Sequence, residues 1–396
     1  MPVLTLGRTP LANALVDPAD ADIPEETFPL NLVRCRVCAL VQIDETVPPE
    51  KLFRHYAYFS SFSDAMVEHA RAIATRLVAD RRLGPASLVM EVASNDGYLL
   101  QHYVAAGVPV LGIEPATNIA QVAREKGVPT EAEFFGREYA ASLAARGLRA
   151  DVLHANNVLA HVADLPGFVG GLALALAPGG LAVIEVPYLK DFLDRCEFDT
   201  IYHEHLCYFS VTALDRLFAS QGLALVHVER LPIHGGSIRL FAAHRPMAPP
   251  YDRTEVERLL DDEERWGVGR PEPYTAFAAR VQTWKHEMLS LVSSLKARGK
   301  RLAAYGASAK GATLLNFAGL GRETIDFVVD RSTYKQGKLM PGALLPIAPA
   351  SRLIEDMPDY VLLLTWNFAD EILAQQADYR ARGGRFIVPI PDPRIV

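Results

Sequence analysis

The sequence has few cysteines and no excess of positive charge. Four cysteines in 396 residues are too few for a disulfide scaffold, so we expect the protein to work in the reducing cytoplasm. The formal net charge is −7 and no basic stripe is visible, which argues against a nucleic-acid partner. The first residues also lack the charged start and the apolar core of a secretory signal.

A long uninterrupted apolar run is lacking as well. The longest candidate, FVGGLALALAPGGLAVIEV at 168–186, is cut by Pro178, Gly179 and Gly180. A membrane span needs about 20 apolar residues, so a helix, a tight turn and a buried strand explain this run better, and we expect no membrane partner. Apolar residues make up 50% of the sequence and charged residues 22%, as in a globular chain of two or three domains.

Strand patterns alternate with helical patterns in two separate parts of the chain. Buried strands are predicted at 87–94, 108–115, 151–158 and 180–187, and again at 301–308, 324–330, 360–366 and 385–391. Such alternation predicts α/β units built on parallel sheets. A charged, helical stretch between the two sets predicts a connector rather than one continuous sheet, because open sheets rarely grow so wide.

We therefore divide the chain into three parts. Residues 1–68 form a small irregular module with short strand-like pieces. Residues 69–232 form the first α/β domain, and residues 233–396 form the second.

A loop of turn-forming residues follows the first predicted strand, in EVASNDGYL at 91–99. Small residues at this edge of a sheet let a ligand approach the backbone. Glu114 ends the next predicted strand, where an acidic side chain can accept hydrogen bonds from both ribose hydroxyls. The loop is neither GxGxxG nor a Walker motif, so the combination favours an adenosyl ligand over a dinucleotide or a triphosphate. The alternative is a plain strand-to-helix turn with an Asx cap.

The segment IYHEHLCYF at 201–209 groups two histidines, a glutamate and two tyrosines. A catalytic metal needs three protein ligands, and no third one stands at a suitable spacing. Two interpretations stay open: a hydrogen-bonded polar core, and a site of proton transfer, for which histidine titrates nearest the working pH.

A second loop of small residues, YGASAKGATLLN at 305–316, joins a predicted strand to a helix. A helix N-terminus with Lys310 beside it suits an anion such as a diphosphate. The alternative is a turn needed only for close packing of helix on sheet.

Together these motifs resemble a known family. EVASNDGYLL, LGIEPATNIA, EFFG, HANNVLAHV, the PGG turn before GLAVIEVPYL, YHEH, LPIHGGSIR and YGASAKGATLLN occur in this order. The set is similar to the sugar-nucleotide C-methyltransferases that methylate carbon 3 of a TDP-4-keto-6-deoxyhexose, and the resemblance runs from about residue 3 to the end.

The resemblance implies a fold, a cofactor and a substrate. The expected fold is a class I methyltransferase (Rossmann-like) sheet that binds S-adenosylmethionine (SAM), a second Rossmann-like C-terminal α/β domain, and a small irregular N-terminal module. The expected partner is a small-molecule sugar nucleotide from deoxysugar or natural-product biosynthesis. The chain is expected to be a monomer or a weak homo-oligomer.

Site residues are also implied by the resemblance. The SAM-binding residues would be Glu91, Ser94, Asn95, Asp96, Gly97, Glu114, Phe134, Phe135, Asn156 and Asn157. Glu114 would hold the ribose, and Phe134 or Phe135 would lie near the adenine. Ala93 stands where many methyltransferases have glycine. The substrate-binding residues would be His234, Gly235, Gly236, Ser308, Lys310, Lys335 and Gln336.

The catalytic residues implied by the resemblance surround the YHEH motif. His205 would be the general base that removes the proton on carbon 3, Glu204 would orient the sugar or tune its neighbour, and Tyr202 would donate to the enolate. His161 would be a further donor. Tyr58 would close over the site, with Tyr56 as the alternative.

Members of this family usually begin with two Cys-x-x-Cys pairs that bind zinc, and this sequence has one, Cys35 and Cys38. Structural zinc requires four ligands, and Cys196 and Cys207 are expected to lie far away in the other domain. Three explanations stay open: a start codon further upstream, loss of the metal, or other ligands. A packed pair of thiols without metal is the alternative.

Three other functions are alternatives to SAM-dependent C-methylation. An O-methyltransferase would use the same base and the same loop. A NAD-dependent oxidoreductase or epimerase would place the nicotinamide cofactor on the second sheet, although GASAKG lacks the third glycine. A noncatalytic scaffold would leave the acid–base groups at YHEH without a role.

Overall fold

The computed structural model describes residues 1–48, 52, 59–245 and 252–396. Its strands are β1 (Pro2–Thr9), β2 (Phe28–Arg34), β3 (Val41–Ile43), β4 (Val89–Val92), β5 (Val110–Ile113), β6 (Thr130–Glu131), β7 (Ala150–Asn156), β8 (Leu176–Pro187), β9 (Cys207–Tyr208), β10 (Leu223–Leu231), β11 (Ser237–His244), β12 (Leu302–Tyr305), β13 (Val328–Val329), β14 (Ile347–Ala348), β15 (Tyr360–Leu363), β16 (Arg385–Val388) and β17 (Arg394–Ile395). Every predicted strand overlaps an observed one.

The helices alternate with these strands. They are α1 (Asp64–Asp80), α2 (Leu100–Ala105), α3 (Thr117–Glu125), α4 (Arg137–Ala145), α5 (Leu165–Ala175), α6 (Leu189–Asp194), α7 (Val211–Ser220), α8 (Thr254–Trp266), α9 (Glu272–Ala297), α10 (Ala309–Ala318), α11 (Arg352–Asp356), α12 (Ala369–Gln375) and α13 (Ala377–Ala381). Short 3₁₀ helices include Ser60–Phe62, Leu159–His161, Phe198–Thr200, Ile233–Gly235 and Trp366–Phe368. None of the described helices is long and apolar enough to span a bilayer.

The central sheet has seven strands in the order β10-β11-β8-β7-β4-β5-β6. β11 runs antiparallel to both of its neighbours, and the other pairs are parallel. β4 and β5 are buried along their whole length, as expected for strands covered by helices on both faces. Pro178–Gly180 loop out of the β7–β8 ladder, where the register shifts.

Helix α1 covers one face of this sheet. Ser63 caps it, since its hydroxyl accepts from the Met66 amide, and its buried residues recur at three- and four-residue spacing. The expected domain boundary at residue 232 cuts the sheet, because β11 follows that residue and lies between β10 and β8. The hairpin of β10 and β11 holds residues 237–244 in the first sheet.

The second sheet has the order β14-β13-β12-β15-β16-β17, with β17 antiparallel at its edge. Helices α8 and α9 lie between the two sheets in the chain, as predicted for the connector. The fold is therefore α/β with two separate doubly wound units.

The N-terminal strands form a third, antiparallel sheet in the order β1-β2-β3-β9. Its last strand comes from residues 207–208, one residue after YHEH, with Cys207 opposite Gln42. The expectation that Cys207 lies far from the N-terminal module was therefore wrong. This sheet brings the N-terminal module against the YHEH segment.

Candidate active site

Unsatisfied polar groups gather where β4 and β7 end. Both carboxyl oxygens of Glu91, Ser94 Oγ, Asp96 Oδ1 and Asn156 Oδ1 are buried and have no hydrogen-bond partner among the described residues. Buried polar groups normally have partners, so this edge of the sheet suits a polar ligand. Burial, and then the nearby carboxyl of Glu114, raises the pKa of Glu91 well above its ordinary value.

The loop after β4 has the backbone that the sequence predicts for a ligand cradle. Ala93, Asn95 and Gly97 all have positive φ, and Ala93 adopts it at 55° in spite of its side chain. Glu114 holds the loop, because its carboxylate accepts from the amides of Asn95 at 3.0 Å and Ala116 at 2.9 Å. Gly112 faces the loop so closely that an added Cβ would lie 2.5 Å from Ser94 Oγ.

Asp96 is anchored from two other segments. Lys126 Nζ lies 2.7 Å from its Oδ2, and Ser61 donates to the same oxygen. The Ser60 amide donates to Asn95 at 2.9 Å. The 3₁₀ helix Ser60–Phe62 thus lies on the cofactor loop. Neither Lys126 nor the two serines stood in a recognisable sequence motif.

The two phenylalanines proposed near the adenine differ in environment. Phe134 is 41% exposed, whereas Phe135 packs against Phe168 with ring centroids 5.3 Å apart. Phe134 is therefore the one free to cover a planar ring. Asn157 follows β7 with positive φ, and its amide donates to the Glu185 carbonyl at 2.8 Å.

His205 is held on both sides of its ring. Its Nδ1 lies 2.9 Å from the Thr200 carbonyl oxygen, and its Nε2 lies 2.8 Å from the Tyr202 hydroxyl. A carbonyl only accepts, so Nδ1 carries the proton and the lone pair of the neutral ring is at Nε2. This is the tautomer required of a base acting through Nε2.

His161 connects the end of β7 to the YHEH segment. Its Nδ1 lies 2.6 Å from the Glu204 carbonyl, and its ring centroid lies 5.0 Å from that of His205. Burial lowers the pKa of His161 to about 4, so the ring is neutral near pH 7. The neutral ring has a single N–H, and the ring forms hydrogen bonds with the backbone of both Glu204 and Asn157. The role of His161 as a donor to the enolate stays a prediction.

Glu204 and His203 both face the N-terminal module. Asn13 donates to the Glu204 carboxylate at 2.7 Å, while burial raises the pKa of Glu204 to about 7. His203 is 1% exposed, and its Nε2 lies 3.0 Å from the Pro29 carbonyl. His203 therefore belongs to the packed core, whereas Glu204 is a buried acid next to His205 in the chain. Tyr56 and Tyr58 lie outside the described residues.

Three of the proposed substrate residues of the C-terminal unit form hydrogen bonds with nearby backbone groups. Ser308 caps α10, since its hydroxyl accepts from the Gly311 amide at 3.1 Å. Lys335 donates to the Ala307 carbonyl at 2.8 Å, and Gln336 donates to the Asp330 carbonyl at 2.9 Å. Lys335 thus holds the loop and Gln336 holds the residue after β13, whereas the Lys310 ammonium lies 4.9 Å from the centroid of the Trp366 ring.

The glycines of the 234–236 turn allow acidic side chains to approach the backbone. Gly235 and Gly236 have φ of 88° and 125°, and a Cβ on them would collide with Glu197 and Asp191 respectively. Burial raises the pKa of Glu197 to about 8, and its Oε1 has no partner in the described part of the chain. The backbone of His234 is part of the 3₁₀ helix Ile233–Gly235.

The Cys35 and Cys38 pair provides two thiols in one tight turn. Backbone amides of Cys38 and Val37 lower the pKa of Cys35. Among the described residues no group of three or more His, Cys, Asp or Glu side chains could hold a metal ion. Those residues alone do not fit a zinc site.

A seven-stranded sheet of this order, with β11 reversed and a polar cradle at the ends of β4 and β5, defines a class I methyltransferase. Glu91, Ser94, Asp96 and Asn156 fit its cofactor, SAM, because their unsatisfied oxygens can take its ammonium and hydroxyl groups.

Comparison with known proteins then gives the family. A C-methyltransferase C-terminal domain model matches residues 232–391, a methyltransferase domain model matches 66–228, and a model for a candidate zinc binding domain matches 1–53. C-methyltransferase NovU of Streptomyces niveus is 39% identical over 395 residues, which cover 100% of this chain and 94% of that protein. The chain belongs to the family of SAM-dependent C-methyltransferases.

Other similarities cover less of the chain. Ubiquinone biosynthesis O-methyltransferase of Methylobacterium sp. (strain 4-46) is 30% identical over 146 residues, 35% of this chain and 55% of that one. Magnesium protoporphyrin IX methyltransferase from Synechocystis PCC 6803, solved with bound SAM, is 15% identical over 45% of this chain and 79% of its own, with a TM-score of 0.35. The CcbJ methyltransferase from Streptomyces caelestis is 16% identical over 44% and 89%, with a TM-score of 0.36.

The family membership decides between the functions that the sequence left open. It confirms the predicted methyltransferase and its cofactor. The oxidoreductase and scaffold alternatives were wrong.

Proposed function

We propose that the protein methylates carbon 3 of a nucleotide-linked 4-keto-6-deoxysugar through an enolate, with His205 as the base. The observation that carries this proposal is the geometry of His205. Its Nδ1 donates to the Thr200 carbonyl and its Nε2 lone pair faces the Tyr202 hydroxyl, beside the edge of the SAM-binding sheet.

The chemistry requires a carbon nucleophile. The ketone at carbon 4 acidifies the neighbouring C–H, because the enolate spreads its charge onto oxygen. His205 Nε2 takes the proton, and the C–H bonding pair becomes the enolate. SAM, held by Glu91, Ser94, Asp96 and Asn156, would supply the methyl group of its sulfonium to the enolate carbon, and the S–CH₃ bonding pair would leave with the sulfur. The imidazolium then releases its proton to solvent.

Tyr202 has two tasks in this scheme. In the resting site it donates to His205 Nε2 and so occupies the lone pair that the substrate C–H must reach. When substrate enters, the hydroxyl turns away from the base and donates to the enolate oxygen. Glu204 accepts a hydrogen bond from the sugar.

The nucleotide is assigned to the C-terminal unit. Lys310 provides a cation near the start of α10, and Ser308 stands at the cap of that helix. Support for a sugar nucleotide comes from this second α/β unit, which a methyltransferase of a small free metabolite would not need.

The test is deuterium exchange. The enzyme is incubated in deuterated water with TDP-4-keto-6-deoxyglucose, and with its 2-deoxy and 3-amino forms, together with SAM or its demethylated product. Deuterium at carbon 3, and a methyl there when SAM is present, would support the proposal. Label and methyl at carbon 5, the other carbon beside the ketone, would contradict the assigned position. A methyl on oxygen would contradict the enolate.

The matching variant is His205→Asn. We expect it to lose exchange and methyl transfer by on the order of a hundredfold or more, with SAM affinity unchanged. A variant that keeps the full rate of methyl transfer would show that His205 is not the base.

A further inference from the structure

One short segment links the C-terminal unit to the base. The 3₁₀ helix Phe198–Thr200 ends at the carbonyl that fixes His205, and its other residues are held by the C-terminal unit. We infer that Asp199 and Trp366 are positioning residues, through which the C-terminal unit sets the orientation of the His205 ring.

The Thr200 carbonyl is the point of contact with the base. It accepts from His205 Nδ1 at 2.9 Å and from the Tyr208 hydroxyl at 3.2 Å. Its direction is set by the 3₁₀ turn, in which the Thr200 amide donates to the Glu197 carbonyl at 3.0 Å. A rotation of this turn would move the acceptor of Nδ1 and with it the ring.

Side chains of the C-terminal unit contact the Asp199 and Phe198 side chains of the turn. Trp366 Nε1 donates to Asp199 Oδ2 at 2.6 Å. The Phe198 ring lies between Trp284 and Phe317, with centroids 4.5 and 5.2 Å away. These contacts come from helices α9 and α10 and from the turn after β15, so three separate elements of the unit hold one turn.

Burial of the Asp199 carboxyl in this turn is unfavourable unless a specific contact requires it. Asp199 is 0% exposed, and its Oδ1 has no partner among the described residues. Burial raises its pKa to about 6, and the positive charge of Lys310 opposes that rise. A residue needed only for packing would be apolar, because a buried carboxyl with an unsatisfied oxygen costs free energy. A specific hydrogen bond to Trp366 explains its presence.

Lys310 connects the Trp366–Asp199 hydrogen bond to the proposed substrate. Its ammonium lies over the Trp366 ring, and it is the group assigned above to the anionic part of the substrate. A nucleotide bound at Lys310 would therefore rest on the indole that holds Asp199. This step rests on the proposed function; the hydrogen bonds to His205 do not.

The first measurement is independent of the substrate. Proteins labelled with ¹⁵N at histidine report the tautomer of each ring by NMR, and His205→Asn assigns the signal of His205. We expect the Nδ1-protonated form in the wild type and a mixture of tautomers in Trp366→Phe, which keeps an aromatic ring but loses the N–H donor. Trp266→Phe, at the end of α8, is the matched control and should leave the signal unchanged.

The second measurement is the rate of deuterium exchange. Trp366→Phe and Asp199→Leu should each lower kcat by on the order of ten- to a hundredfold, with KM and SAM affinity unchanged. Asp199→Asn keeps an acceptor oxygen for the indole and should restore most of the rate. The double variant Trp366→Phe/Asp199→Leu should be no slower than either single one, since both changes remove the same bond.

The outcomes separate this inference from the proposed function. A wild-type tautomer and a wild-type kcat in Trp366→Phe would overturn the inference. So would equal losses in Asp199→Asn and Asp199→Leu, or a parallel loss of SAM affinity, which would indicate general damage. A wild-type enzyme without exchange would contradict the proposed function instead, and the NMR signal of His205 would still decide the inference.

Discussion

The Tyr202 hydroxyl lies 2.8 Å from His205 Nε2, with the two rings 4.0 Å apart. Residues three apart in the chain thus have tilted rings in contact and are hydrogen-bonded in one turn. The pair brings an O–H donor to the nitrogen that would take the proton. Such a contact suits proton transfer, whereas packing alone would not need the hydroxyl.

Replacing Tyr202 by phenylalanine tests that pair. The ring stays, while the donor for the enolate oxygen is lost, so we expect kcat to fall by about ten- to a hundredfold and SAM affinity to stay the same. Tyr208→Phe is the matched control for loss of a hydroxyl, because the Tyr208 hydroxyl donates to the Thr200 carbonyl and not to His205 Nε2. It should have the smaller effect; equal losses in the two variants would assign both to structure.

The hydrogen bond from Asn13 to Glu204 predicts a pH effect. Burial raises the pKa of Glu204 to about 7, and Asn13 opposes the rise by stabilising the ionised form. In Asn13→Ala the pKa should rise further. If the carboxylate accepts from the sugar, the acid limb of kcat/KM then moves to higher pH, and in Glu204→Gln that limb disappears.

The same pKa has a consequence for stability. The Glu204 pKa is raised in the folded state, so its contribution to stability is full below about pH 4.3, the ordinary value for glutamate. It is lost as the pH rises through about 7.

The control for the shift of the acid limb of kcat/KM is Asn31→Ala. This change removes an amide that faces an exposed carboxylate, Asp44, and we expect no shift of the acid limb. An unchanged limb in Asn13→Ala would contradict the role of Glu204.

The sequence predicted the two α/β units because buried parallel strands leave a local signal. VMEV and VLGI are continuous apolar-rich runs that are followed by turn formers. The strands that pair with them come from other parts of the chain but show the same apolar-rich pattern. The antiparallel pair β10 and β11 was missed. Its strands lie on either side of the LPIHGG turn, and nothing local shows that they join the first sheet.

The parts of the site that sequence could not predict depend on long-range contacts. Asn13 reaches Glu204 across 191 residues, and Trp366 reaches Asp199 across 167. Periodicity places a residue on a face but does not say which distant residue it meets. The tautomer of His205 is set by a backbone carbonyl, which no residue type encodes.

Gly112 provides a test of the cofactor loop. An added Cβ would lie 2.5 Å from Ser94 Oγ and 2.8 Å from Thr130 Oγ1, so Gly112→Ala must displace the loop or the strand. We expect a loss of about 1–3 kcal/mol in stability and a weaker affinity for SAM, measured by thermal unfolding and calorimetry. Gly84→Ala, where nothing lies within 4 Å, should leave both unchanged. Normal SAM binding in Gly112→Ala would place the cofactor elsewhere.

Replacing Glu91 should change the stability of the protein and its affinity for SAM in opposite directions. The Glu91 carboxyl is buried without a partner in the described ranges, and burial raises its pKa. A raised pKa in the folded state means that stability is highest at low pH and is lost as the pH rises through that value. Glu91→Gln removes the ionisation. The ligand-free variant should therefore unfold at a higher temperature than the wild type at alkaline pH, and the difference should shrink toward pH 5.

The same variant should bind SAM less well, because a neutral amide cannot balance the ammonium group of the cofactor. We expect a loss of about tenfold, or ~1.4 kcal/mol, in calorimetry at neutral pH. Glu133→Gln, which changes an exposed glutamate, is the control and should alter neither quantity. Opposite changes in stability and affinity would show that the buried charge is kept for the ligand. A Glu91→Gln variant that gains stability and binds SAM normally would remove Glu91 from the cofactor site.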